Sequence, residues 1–379
     1  LRKGERVRIL PHDFEAKIRS LQVHGSETHD VIAGNRVAVA LSAPSSERQL
    51  VTRGGTLVSI SEWEPTWMLT VQVQLITETK WGLQHNQRVR VHIGTSEVMA
   101  RCVLLTNQEI HSGGIGWIQL RLEDPVIARA RDRVILRAYS PMVTIGGGVV
   151  AEPNPVKRKQ LNPLLQGALE GILGNEPTIS IEALLTIGSW HGVCLNELPI
   201  TSGLPPTIVG DALHDVLAGG ALKTSTRLFS EGIATEAQEL ILKMVHEGHS
   251  EKPFLTNISL PVVRSALPSW ASVEIADAVI EQLTQKKVLE REGSGVKSFG
   301  YQPKLSSEQQ DLVSQLREVY HTTGLSSPLV AELPPDLAEN PNIWDLLKFL
   351  ENADELVTIA DGYYVSKDEC ENATQRVQK

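Results

Sequence analysis

The 379-residue chain contains three cysteines, Cys102, Cys194 and Cys370. They are odd in number and far apart, which excludes a disulfide framework and a zinc knuckle and fits a reducing, cytoplasmic compartment. No apolar run approaches the roughly 20 residues of a membrane-spanning helix, and the first residues lack the basic-then-apolar pattern of a secretory signal. No G-x-x-x-x-G-K-[ST] loop and no N-K-x-D motif occurs, so a P-loop nucleotide site is missing from the sequence. A G-x-S-x-G elbow is missing too, and "HEGH" at 246–249 lacks the i, i+4 histidines of a zinc-protease helix. Composition does not exclude a catalytic triad, but no local motif supports one, and no metal site is expected.

Basic charge is scarce where the chain is longest. Residues 1–156 hold 18 Lys and Arg against 15 Asp and Glu, a net of +3, whereas residues 157–379 hold 18 against 30, a net of −12. The two parts should bind different things. Nucleic-acid affinity rests on cations that neutralise phosphates, so a broad phosphate-gripping face is not expected in the second part.

The stretch "RAYSPMVTIGGGVV" (137–150) sets three glycines beside Ser and Thr, as a phosphate loop does. A phosphate loop leads into a helix, usually with a Lys. Here Val149, Val150, Ala151, Glu152 and Pro153 follow, and "RDRVILRAYS" precedes, so Gly146–Gly148 are expected inside a sheet where strands pack closely.

Nine short runs up to residue 138, among them "GERVRIL", "AKIRSLQV", "RVAVALS", "WMLTVQVQLI", "QRVRVHIG" and "RDRVILR", alternate apolar with polar or basic residues. Several such strands at regular spacing mean barrels or sandwiches, and a boundary between two barrels is expected near residue 61. His24 and His29 are read as sheet residues. At "EPNPVKRKQ" the period shifts from two toward 3.6, and "VKRK" (156–159) reads as a solvated hinge.

A repeat then appears: "DALHDVLAGGALK" at 211, "DAVIEQLTQKKVLE" at 277 and "DLLKFLENADELVT" at 345 start 66 and 68 residues apart. Each places Leu222, Val288 or Leu356 eleven positions on, at the expected start of a strand. Thr235 with Gln238, Ser307 with Gln310, and Ser366 with Glu369 have capping-box spacing. Trp190, Trp270 and Trp344 fall one per repeat and are expected in cores. Helices followed by a two-stranded wing in about 70 residues match the winged-helix plan.

The fold class expected is thus two β-barrels followed by tandem winged helices: 1–60 a partial barrel, 61–155 a second barrel, 156–230, 231–303 and 304–366 winged helices, and 367–379 the opening of a fourth. On the measured period a fourth copy would need roughly 60 more residues, and residues 1–60 supply fewer strands than a closed barrel usually takes. The chain is therefore expected to begin and end inside larger modules.

The runs "KGERVRILP", "KIRSLQVHG", "AGNRVAVAL" and "RGGTLVS" resemble the second domain of Tu-type translation elongation factors. "HIGTSEVMARCVLL" and "RDRVILRAYSPMVTIGGGVV" resemble the third domain of the bacterial selenocysteine-specific elongation factors, a family that also carries tandem winged helices. The resemblance covers essentially the whole chain. It implies delivery of selenocysteyl-tRNA to the ribosome at UGA codons marked by an mRNA hairpin, by a monomer. GTP and magnesium would belong to a GTPase domain, and the hairpin contact to the fourth winged helix, so neither is expected of these residues.

The resemblance also implies site residues. Arg36 matches an aminoacyl-pocket arginine that faces the selenium; a fixed guanidinium prefers an ionised selenol to a neutral serine hydroxyl. Arg137, Tyr139 and Ser140 fall in the segment that lies on the tRNA T-stem backbone, two residues longer here than in the general factor, where an Arg neutralises phosphate and hydroxyls contact 2′-OH groups. The competing function is a winged-helix DNA-binding regulator with a barrel partner domain. "PTIVGDALHDVLAGG" contains no Lys or Arg, which disfavours it.

Overall fold

The structure, a computed structural model, describes residues 1–377 other than 45, 60, 61, 79 and 107, with side chains through residue 373. Contacts divide it into two compact units, Leu1–Glu231 and Gly232–Lys379.

The first unit opens with β1 (Arg6–Leu10), β2 (Phe14–Val23), β3 (Ser26–Thr28), β4 (Val37–Ser42) and β5 (Thr56–Val58). The order is β3-β2-β1-β5, with β4 also paired to β2, and the sheet is open. Alternation drives it: Phe14, Ala16, Ile18 and Leu21 of β2 join Val7 and Ile9 in a small core. His24, at φ +51°, lies in the turn after β2. His29 follows β3, so neither histidine is the strand residue expected.

A closed barrel follows, built from β6 (Thr66–Leu75), β8 (Arg88–Ile93), β9 (Ser96–Leu104), β11 (Ile115–Val126), β12 (Arg133–Ala138) and β13 (Thr144–Glu152) in the order β11-β6-β13-β12-β8-β9. The short strands β7 (Leu83–Gln84) and β10 (Glu109–Ile110) pair with each other. The boundary expected at residue 61 falls outside the described residues. Inward positions alternate along every strand, with Leu69, Val71, Val73, Val89, Val91, Ala100, Cys102, Ile118, Leu120 and Leu136 in one core. Each buried branched side chain contributes up to about 1.5–3 kcal/mol, and closure removes the sheet edges that would otherwise pair with other chains.

The glycine triplet sits inside β13. A Cβ on Gly146 would lie 2.5 Å from the Gln74 carbonyl oxygen, and one on Gly148 2.4 Å from that of Gln72, whereas one on Gly147 would meet only the Val134 oxygen at 3.0 Å. The glycines allow β6 and β13 to approach, and a strand rather than a helix carries them.

Helices then take over: α1 (Pro163–Leu173), α2 (Pro177–Gly188), β14 (Val193–Cys194), α3 (Leu198–Ser202), α4 (Pro206–Ala218), β15 (Leu222–Lys223) and β16 (Arg227–Phe229). β14 pairs β16, which pairs β15. The linker before α1 is exposed at Val156, Lys157 and Lys159, as expected, but Arg158 is not solvated. Arg158, its side chain 9% exposed, donates to both carboxylate oxygens of Glu152, at 2.5 and 3.0 Å.

The second unit repeats the plan: α5 (Glu231–Glu251), β17 (Ile258–Ser259), α6 (Leu260–Arg264), α7 (Val273–Gln285), β18 (Leu289–Glu292) and β19 (Gly295–Ser298). It repeats again as α8 (Ser307–Thr323), α9 (Pro335–Ala338), α10 (Ile343–Asn352), β20 (Leu356–Ala360) and β21 (Tyr363–Ser366), with α11 (Lys367–Val377) last. β17 pairs β19, and a bridge from Leu329 to Tyr363 stands in its place in the third copy.

The copies are in closer register than the Asp alignment suggests. α4, α7 and α10 end at Ala218, Gln285 and Asn352, and the buried leucines that open the next strands are Leu222, Leu289 and Leu356, each 67 residues from the last. Val288 is 41% exposed and precedes its strand. All three helices stop in the same way. Gly220, Lys287 and Asp354 take positive φ, their amides bond Leu217, Thr284 and Glu351, and the next amides bond Val216, Leu283 and Leu350.

Two expected caps also move. Thr235 lies a turn inside α5. The box that opens α8 is Ser306 with Gln309, one residue before Ser307 and Gln310: Ser306 Oγ accepts from the Gln309 amide at 3.2 Å, and Gln309 Oε1 accepts from the Ser306 amide at 3.0 Å. Of the three repeat tryptophans only Trp190 is buried, while Trp270 and Trp344 are 62% and 50% exposed.

Candidate nucleic-acid interface

Strand parity decides which barrel residues face out. In "RVRVHI" of β8, Val89, Val91 and Ile93 fill the core, so Arg88, Arg90 and His92 point away. The same alternation turns Arg101 of β9, Arg121 of β11 and Arg137 of β12 outward.

Register brings them together. Arg137 is the direct partner of Arg90 across β12 and β8, and Arg88 is the partner of Arg101 across β8 and β9. Arg101 in turn faces Arg121 across β9 and β11. Five arginines thus occupy adjoining positions on four neighbouring strands. Two carboxylates answer them: Glu123 accepts from Arg88 at 2.8 and 2.6 Å, and Glu97 accepts from Arg90. These bonds hold both carboxyls below the usual range and raise Arg88. Like charges placed opposite each other across strands are destabilising by a few tenths of a kcal/mol or more, so this face favours an anion that crosses several strands.

The guanidinium stems lie along the sheet. The Nε atoms of Arg90, Arg121 and Arg137 are buried with no hydrogen-bond partner among the described residues, so these side chains can reach solvent only through their terminal nitrogens.

Arg137, Tyr139 and Ser140 border this face. Arg137 Nη2 donates to the Met142 carbonyl at 3.0 Å, bracing the turn from Tyr139 to Val143. Tyr139 is 53% exposed, and its ring centroid lies 4.9 Å from the Arg88 guanidinium carbon, within cation–π range. Ser140 is exposed.

Arg36 lies outside this barrel. It lies just before β4 rather than within it and is exposed, with no hydrogen bond or ion pair to another described residue. Arg88, Arg90, Arg101 and Arg121 escaped the sequence reading, although arginine alternating with apolar residues in "QRVRVHIG" and "MARCVLL" signals an outward basic row.

Gly146–Gly148 lead into strand, and no group of three His, Cys, Asp or Glu among the described residues could hold an ion. His249 of "HEGH" instead stacks on Tyr301, ring centroids 3.7 Å apart.

Residues 68–157, which include every arginine of this face, match the model of the selenocysteine-specific elongation factor β-barrel domain. The chain is 23% identical over 386 aligned residues to the selenocysteine-specific elongation factor of Desulfomicrobium baculatum, covering all of this chain and 60% of that protein. It is 27% identical over 148 residues to that of Escherichia coli, covering 39% of this chain and 22% of the relative. The chain is related to the selenocysteine-specific elongation factors.

A crystal structure of a bacterial selenocysteine-specific elongation factor, EF-Sec, shares the fold at a TM-score of 0.66 and 16% identity, over 99% of this chain and 56% of that one. The chain thus spans about 60% of the D. baculatum elongation factor. The arginine face and the Tyr139–Val143 turn lie wholly inside the part matched by the family's barrel domain.

Proposed function

We propose that this chain is the tRNA-binding and arm portion of a selenocysteine-specific elongation factor. The observation that carries the reading is the row of Arg137, Arg90, Arg88, Arg101 and Arg121 on neighbouring barrel strands, with Tyr139 and Ser140 at its border. On this reading the row lies along the backbone of selenocysteyl-tRNA. Guanidiniums neutralise phosphates and the two hydroxyls meet 2′-OH groups, fixing register without reading sequence.

Arg36, exposed before β4, faces the selenium of the esterified residue. The three helix-and-hairpin copies are winged helices that act as a spacer toward the ribosome and the mRNA hairpin, which a fourth winged helix reads. GTP and magnesium are held by a GTPase domain, and the factor works as a monomer in the cytoplasm.

The alternative, a DNA-reading regulator, lacks a basic reading helix: α4 and α7 contain no Lys or Arg, and α10 contains only Lys348.

The test is binding of selenocysteyl-tRNA to the chain at several salt concentrations, for wild type, Arg101→Ala and Arg137→Ala. Each substitution should lower the slope of log affinity against log salt by roughly 1, the signature of one lost phosphate contact. Unchanged slopes would remove the face from the RNA. For Arg36→Ala, preference for selenocysteyl- over seryl-tRNA should fall; equal discrimination in both proteins would take Arg36 out of the pocket.

A further inference from the structure

We propose that Arg131 locks the closed barrel to the first helix-and-hairpin copy, so that the two move as one rigid body rather than as domains on a flexible linker. Arg131 lies between β11 and β12 at φ +69°, a conformation unusual for a side chain of its size. Its Nε donates to the Ser202 carbonyl at 2.9 Å and its Nη2 to the Gly174 carbonyl at 2.8 Å, with Ser180 Oγ at 3.5 Å. Ser202 is the last residue of α3 and Gly174 caps α1. The cation therefore joins the carbonyl ends of two helices, where the helix dipoles favour positive charge and the final carbonyls lack helical partners. It is partly buried without a carboxylate, and desolvation lowers its pKa.

The backbones meet at the same place. The Ala130 amide bonds the Ile200 carbonyl at 2.9 Å, and a Cβ on Gly203 would sit 2.1 Å from the Ala130 oxygen. Ala130 shares a core with Ile172, Ile181 and Leu198.

The connecting segment is fastened as well. Gln119 of β11 faces outward yet is fully buried; its amide nitrogen donates to the Val156 carbonyl at 2.9 Å and its oxygen accepts from the Arg158 amide at 3.1 Å. The Leu161 amide bonds the Leu105 carbonyl, and Leu169 of α1 packs with Leu105 and Trp117 on the barrel's outer surface. Among the described residues Arg131 links two helix ends directly to the barrel. The inference concerns the protein alone and stands whether or not the arginine face binds RNA.

Spin labels on Thr95→Cys and Asp211→Cys, both exposed, in a chain carrying Cys194→Ser and Cys370→Ser, report the barrel-to-helix distance. The proposal expects one narrow distribution with Arg131 present and a broadened one in Arg131→Met. In the latter, exchange of the Ala130 amide should quicken about ten-fold or more, in line with losing charge-assisted hydrogen bonds. A broad distribution in the parent, or an unchanged narrow one in Arg131→Met, would overturn it. If Arg131→Met loses its circular dichroism, amide exchange in the wild type decides. Ala130 and Leu161 exchanging as slowly as the barrel strands supports the lock, and exchange at the rate of a solvated linker refutes it.

Discussion

Replacing His249 with Phe should stabilise the protein, and more so in acid. His249 closes α5 with 7% of its surface exposed and stacks on Tyr301 at an interplanar angle of 24°. Neither ring nitrogen has a hydrogen-bond partner among the described residues. A neutral imidazole carries one donor and one acceptor, so both go unsatisfied here, and a buried unpaired polar group costs about 1–3 kcal/mol. Phe keeps the ring, the stack and most of the volume while removing both polar atoms. About 1–2 kcal/mol of stabilisation at pH 7.5 follows, or roughly 2–4 °C per kcal/mol in a unit of about 150 residues.

The pH dependence has a definite sign. Burial first, then the neighbouring His246 and Lys297, push the His249 pKa below its ordinary 6.5. Above 6.5 the ring is neutral in both folded and unfolded chains and its contribution is flat. As pH falls through 6.5 the unfolded ring takes up a proton that the folded ring resists, and wild type loses about 1.4 kcal/mol per unit of depression until the folded value is passed. The variant has no such loss, and comparing the two cancels the titrating groups that do not interact with His249. Calorimetry at pH 7.5 and 5.5, with hydrogen exchange localising the change to α5 and the β18–β19 hairpin, measures both effects. A variant that melts no higher than wild type at either pH, or a gap that does not widen in acid, would refute the reasoning.

Two further substitutions probe the backbone. Gly148→Ala should destabilise the barrel by about 3 kcal/mol, because its Cβ would collide with the Gln72 carbonyl, while Gly147→Ala should be much milder; equal losses in thermal melts would contradict the packing role. Lys287→Gly should stabilise the α7 stop by up to about 1 kcal/mol, since φ is +55° there and glycine accepts it without strain; a lower melting temperature would count against the shared stop.

The three-fold repeat was legible in outline but not in register, and the reason is chemical. Glycine marks a helix stop in sequence, yet of the three equivalent stops only Gly220 carries that mark, while Lys287 and Asp354 hold the same left-handed conformation. Asp211 and Asp345 are 67 positions from residue 278, an alanine, so aligning on Asp277 displaced the middle copy by one. The apolar positions would have corrected this: Val209, Ala212 and Val216 recur as Ala276, Val279 and Leu283 and as Ile343, Leu346 and Leu350, all buried. Burial constrains those positions in every copy, whereas the Asp position belongs to no shared core: Asp211 is exposed, and Asp277 and Asp345 pair with Arg264 and Lys252.

The arginine face shows a different limit. Alternation along one strand tells which residues point outward, and β8 alone yields Arg88 and Arg90. Which strands adjoin is a property of barrel closure, and β12 lies beside β8 across 39 residues of intervening chain. Charge counting has the same blind spot. The +3 of residues 1–156 gives the sign of the expected partner, but Arg131 belongs to that count while its guanidinium is turned onto helix carbonyls. Arg158 falls just outside it, and its charge is matched by the buried Glu152, which is counted. What distinguishes an arginine available to an anion from one holding the molecule together is therefore the strand or helix end its side chain faces. That assignment follows from pairing between distant strands, which is why Arg101 and Arg121 emerge only once β9 is set between β8 and β11.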